Sequence, residues 1–142
     1  MRSIRQVLAE HATVREAKTG QGRIHILLGE DDSRVSSTLT QQFKQAGHCV
    51  TVAGSGPEVL ELAPKVNPDI VMLKGVLTRM NGDAVASLLK LMPGTQKIPL
   101  VLYDPERPRH SKRELPPAVD RFVPSSDAME LLAAIENVFK SL

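Results

Sequence analysis

From residue 24 onward, short apolar runs alternate with stretches of helical periodicity, and this alternation leaves one main architecture open. The apolar runs fall at 24–28, 50–52, 69–73, 100–103 and 121–123. Between them the spacing predicts helices over 33–46, 56–65 and 83–92, and a last one over 127–142. Ser33 is placed to cap the first and Gly47 to stop it, Pro57 sits in the first turn of the second, Pro93-Gly94 ends the third, and Asp127 caps the last. Strand–helix alternation of this kind implies an α/β domain with a parallel sheet covered on both faces. Reactive residues are then expected just after the strands, at their carboxyl ends.

Bulk properties narrow the function. Of 142 residues, 42% are hydrophobic and 3% aromatic, so Val, Leu, Ile, Met and Ala build the core, and platforms for stacking bases are not expected. The net charge is +2. It comes from the first 22 residues, where Arg2, Arg5, Arg15 and Lys18 outnumber Glu10 and Glu16. A balanced remainder argues against nucleic acid as a partner. No apolar stretch is long enough to span a bilayer, and no signal peptide is visible, so the expectation is a cytoplasmic protein without membrane contact. The lone Cys49 makes no internal disulfide and no thiolate metal site, and reads as a small apolar filler. Residues 1–22 form a separate unit. Ile4, Val7, Leu8, His11 and Val14 lie at helical spacing, and Thr19-Gly20-Gln21-Gly22 follows as a linker. This amphipathic helix either packs on its own domain or frays, or else docks on another chain.

The densest chemistry is Glu30-Asp31-Asp32 after the first strand. Three adjacent acids suit a divalent cation, or else form a solvated turn whose charge favours the following helix N-terminus.

The order of pieces resembles the receiver domains of bacterial two-component response regulators. Residues 26–33, Ile-Leu-Leu-Gly-Glu-Asp-Asp-Ser, are similar to their first strand and acidic pair. Pro68-Asp69-Ile70-Val71-Met72-Leu73 resembles their third strand and Met80-Asn81-Gly82 the turn after it. Ile98-Pro99-Leu100-Val101-Leu102 resembles the fourth strand, and Asp120-Arg121-Phe122-Val123 the fifth. The resemblance spans 24–142. It implies a flavodoxin-like three-layer fold over 23–142, with five parallel strands in order 2-1-3-4-5 and five helices, the N-terminal helix being an addition.

The family holds Mg²⁺ on the acidic pair, attacks phosphate with an aspartate after the third strand, binds it with Thr or Ser after the fourth, and neutralises it with Lys after the fifth. Carried over, the acidic pair is Glu30 and Asp31, but the acceptor position holds Lys74, the Thr/Ser position Asp104 and the Lys position Ser125. Ser126 stands where a proline follows that lysine, and Thr78 replaces the proline after the acceptor. An ammonium is not the carboxylate nucleophile of this chemistry and would occupy the place of Mg²⁺. The resemblance therefore implies a degenerate pseudo-receiver with no catalytic residue, no metal and no cofactor. Lys74 is expected to act as a built-in counter-ion, reaching Glu30 or Asp31 on one side and Asp104 on the other. Phe122 matches the family's switch aromatic and is expected here to be a packing residue.

Residues 104–117 depart from the pattern, since Pro105, Pro108, Pro116 and Pro117 restrict the helix the family has there. The stretch is either a solvated loop or, with Arg107, Arg109, Lys112, Arg113 and the nearby Arg121, a docking surface for an acidic signalling partner; a homodimer is also open. His11, His25, His48 and His110 show no metal-ligand spacing. The expected function is protein–protein interaction in phosphorelay-type signalling without aspartyl phosphorylation. The alternative is a receiver still switched through another acid, Asp83 or Asp104, or by a small ligand at the strand ends. An enzyme is disfavoured, because no Gly-rich phosphate loop and no nucleophile–His pair is present.

Overall fold

The computed structural model describes residues 23–107 and 115–141. The predicted helix at 3–18, its linker, and Arg109, His110, Lys112 and Arg113 lie outside the described residues.

Five strands form one parallel sheet in the order β2-β1-β3-β4-β5, as the resemblance to receiver domains implies. They are β1 (His25–Gly29), β2 (Cys49–Ala53), β3 (Ile70–Lys74), β4 (Leu100–Tyr103) and β5 (Arg121–Val123). Four helices connect or follow them among the described residues: α1 (Ser33–Gln45), α2 (Gly56–Val66), α3 (Gly82–Leu91) and α4 (Ala128–Lys140). The three central strands are buried on both faces, which is why they read as unbroken apolar runs.

Alternation along the strands divides the core into two layers. Ile26, Leu28, Met72 and Val101 point to one side, where Leu39 and Phe43 of α1 and Leu131, Ile135 and Val138 of α4 meet them. Leu27, Val71, Leu73 and Leu102 point to the other, against Val59 and Ala63 of α2 and Val85 and Leu89 of α3.

The helix ends follow local chemistry, with one correction. Asp32, not Ser33, caps α1: its carboxylate accepts from the N–H groups of Arg34 and Val35, at 2.9 and 3.4 Å. Asp32 has the extended backbone of a cap residue, φ −90° and ψ 114°, and Ser33 is the first helical residue. Gly47 stops α1 with φ of 95°, as expected of a left-handed stop. Asp127 caps α4 by accepting from Glu130 N–H at 3.1 Å.

Gly82 sets how closely α3 approaches the carboxyl end of β3. Its N–H donates to Gly75 O at 2.9 Å, and a Cβ there would press into the Lys74 carbonyl and Leu102. Only glycine lets the helix start this near the strand that carries Lys74.

Candidate functional site

The period of two that builds the core also builds the site. Glu30 follows β1, Lys74 ends β3 and Tyr103 ends β4, and Lys74 is registered opposite Tyr103. All three share the parity of Leu28, Met72 and Val101, so their side chains converge above the α1–α4 core layer.

At the centre lies the Lys74 ammonium. Its Nζ is 3.2 Å from Glu30 Oε2 and 3.2 Å from Asp31 Oδ1. The Glu30 side chain is 1% exposed, so this charge has left water, and its oxygens are met by protein donors instead. Oε2 takes Lys74 and the Asp32 N–H at 3.0 Å, and Oε1 takes the Tyr103 hydroxyl at 2.7 Å. Asp31 turns its second oxygen to Thr78, accepting from the backbone N–H at 2.9 Å and from the side-chain hydroxyl at 2.8 Å.

The electrostatics follow these bonds. For Lys74, partial burial works to lower the pKa, but the hydrogen bonds and charges of Glu30 and Asp31 outweigh it and hold the ammonium above its ordinary value. For Asp31, burial works upward, and hydrogen bonds from Thr78 and Lys74, with the lysine's charge, hold the carboxyl below its usual range. Burial foremost, then the bond to Glu30 and the nearby carboxylates, pushes the Tyr103 phenol far above its ordinary value.

Both carboxylates of the acidic pair are engaged by protein donors. A hard dication asks for six oxygens in an octahedron with carboxylates free to ligate it. Here both carboxylates are engaged by an ammonium standing between them, and a second cation would be repelled.

Two expectations about the neighbourhood are corrected. Lys74 was expected to reach Asp104 as well, but its ion pairs are with Glu30 and Asp31. Asp104, 7% exposed, turns to Arg107, with Nε at 4.0 Å, and accepts from Glu106 N–H at 3.0 Å. It packs over Gly75, where a Cβ would sit 2.8 Å from Asp104 Oδ2. Arg107, expected among the exposed basic residues, is 9% exposed. Its guanidinium bonds Asp83 at 3.2 and 3.3 Å and lies 5.3 Å over the Phe122 ring. A planar cation pairs with a carboxylate and stacks on a ring at once, which draws it inward. Phe122 is partly buried against the α2–α3 core layer, consistent with a packing role.

The remaining predicted positions are local. Ser125 Oγ accepts from Asp127 N–H at 2.9 Å in the turn before α4. Arg121 is exposed at the start of β5. Tyr103 and Thr78 are the members of the site whose roles the sequence left unassigned. The hydroxyl-for-proline exchange at Thr78 was the one available signal; Tyr103 lies 73 positions from the carboxylate it serves.

The fold and the site define a class, a doubly wound domain with an acidic pair at the strand ends and a charged residue after β3. No family model matches the chain. Curated relatives do: the chain is 31% identical over 77 residues to Protein Rrf1 of Nitratidesulfovibrio vulgaris, which covers 54% of this chain and 56% of that protein. It is 36% identical over 77 residues to the transcriptional activator protein PfeR of Pseudomonas aeruginosa, covering 54% and 24%. The chain thus matches about half or less of the length of these relatives. Among solved structures, a response regulator from Chloroflexus aurantiacus is similar with a TM-score of 0.72 and 21% identity, covering 83% of this chain and 98% of that one. Chemotaxis response regulator CheY4 of Vibrio cholerae gives 0.72 and 19%, covering 80% and 97%. The receiver domain of sensor histidine kinase PA1611 from Pseudomonas aeruginosa, which has magnesium coordinated in its active-site cleft, gives 0.73 and 14%, covering 84% and 99%. The fold is the flavodoxin-like receiver fold.

Proposed function

We propose that the chain is a signalling module of the two-component type that works by protein contact, with Lys74 in place of both the phospho-acceptor and the metal. The observation that carries this is the Lys74 Nζ at 3.2 Å from both Glu30 and Asp31. Those oxygens would otherwise ligate the cation needed for phosphoryl transfer. A protonated amine among carboxylates has no lone pair to offer a phosphoryl group, and the acids themselves are engaged. The module is not an enzyme in this reading, and its output is a surface read by another signalling protein. With Arg107 turned inward, Arg121 is the one of the five candidate docking residues that is both described and exposed.

Incubation with acetyl phosphate or beryllofluoride in the presence of Mg²⁺ tests the reading. No mass increment and no amide shift around 30, 74 and 104 is the expected result. A stable phosphoryl adduct, or saturable shifts at those amides, would overturn it.

One observation favours a second reading, a domain switched by a small ligand. A groove of about 310 Å³ lies beside the ammonium, lined by Asp31, Lys74, Val76, Asp104, Pro105 and Glu106. Under that reading a small ligand binds at these strand ends, and metabolite titration followed at the same amides separates it from the first.

A further inference from the structure

We propose that the apolar groove along α4 is the seat of this chain's own residues 3–18, so that the N-terminal segment caps the domain. The groove, about 830 Å³, is lined by Ile24, Ala46, Met129, Leu132, Ala133 and Phe139, with His48, Glu136 and Lys140 as its polar members. Met129 is 71% exposed at one end of it. An apolar channel of this size beside a helix calls for an occupant.

The point where the described chain begins names that occupant. Ile24 is itself a wall of the groove. The chain is pinned there from both sides: Arg23 Nε donates to Gly47 O at 2.7 Å, and Ile24 N–H donates to His48 Nδ1 at 3.3 Å. Whatever precedes residue 23 therefore leaves from the groove's own rim. Residues 19–22 span at most about 13 Å, enough to reverse direction and too little to carry the segment to a distant face. As a helix, residues 3–18 would measure about 24 Å, against about 20 Å for the thirteen residues of α4. Its stripe of Ile4, Val7, Leu8 and Val14 would need an apolar partner, because a helix this short is marginal alone.

The sole cysteine supplies the probe. Cys49 is exposed, next to His48, and its N–H donates to Ile24 O at 2.9 Å. A nitroxide on Cys49 of the full chain is expected to broaden the amides of residues 4–14, and Leu8→Glu and, separately, Ala133→Glu are each expected to abolish that broadening while the sheet resonances keep their positions. Ala133 is exposed, so its variant leaves the core intact. Coil-like shifts over 3–18 with no broadening in the unaltered chain would overturn the proposal. So would broadening that arises only between spin-labelled and isotope-labelled copies in a mixture, since the occupant would then be a second copy.

Discussion

Glu30 has three donors on one carboxylate: the Lys74 ammonium, the Tyr103 hydroxyl and the Asp32 N–H. Removing one leaves a buried charge short of a partner, which costs more than the bond itself contributes. Lys74→Met is expected to lower unfolding free energy by about 1–3 kcal/mol, by chemical denaturation. Glu30→Gln in the same background is expected to return part of it, because the orphaned charge is then gone. A double variant no more stable than Lys74→Met alone would show that Glu30 does not depend on the lysine. Tyr103 is the chain's one tyrosine, with no tryptophan beside it, so its ionisation can be read without interference. Its folded pKa lies above the ordinary value of 10.0. Its contribution is fully present below that value and is lost as pH rises beyond it, because the unfolded phenol ionises first. Phenolate absorbance is therefore expected to appear together with loss of far-ultraviolet circular dichroism, not before it. Phenolate forming in a still-folded protein would contradict the buried bond to Glu30.

At the scale of the elements, nearly every strand was legible because each rests on a short-range pattern, while the sheet order came only from the resemblance to receiver domains. Period two, turn residues and caps all act within a few positions. The α1 cap slipped by one residue because Asp32 and Ser33 are both good caps, and only backbone geometry decides between them. Lys74 as counter-ion to the acidic pair was legible from its position after the third strand. The role of Tyr103 was not, because its pairing exists only once β4 lies beside β3 and β3 beside β1. Arg107 read as surface because arginine usually is; Asp83 and the Phe122 ring draw it in, and both are remote in sequence. The junction of β3 and α3 carries the element-scale prediction. Gly82→Ala forces a methyl into the Lys74 carbonyl and Leu102, and is expected to cost about 1–3 kcal/mol by thermal or denaturant unfolding. It should also move the Lys74 and Tyr103 amides more than those of β2. A neutral effect on stability would mean that α3 can retreat from the strand without loss.

Across the whole molecule, the site works as a clasp on the carboxyl end of the sheet. Glu30 and Asp31 follow β1, Lys74 ends β3, Tyr103 ends β4, and Thr78 belongs to the loop that leads into α3. One cation and two hydroxyls thus join the ends of β1, β3 and β4 and the loop that leads into α3. The clasp has a pH window whose sign follows from Asp31. Its folded pKa lies below the ordinary 3.8, so at any pH near that value the unfolded chain binds more protons than the folded one. The stability it contributes is present above about pH 4 and is lost as pH falls through the lower, folded value. Unfolding free energy measured stepwise in acid is thus expected to fall below about pH 4 with a slope that Asp31→Asn reduces, since the amide takes up no proton. Thr78→Val is expected to reduce the same slope by less, because the backbone N–H bond to Asp31 survives it. If both variants keep the acid slope of the unaltered chain, other carboxylates govern its acid unfolding, and the clasp contributes little to holding the three strands together.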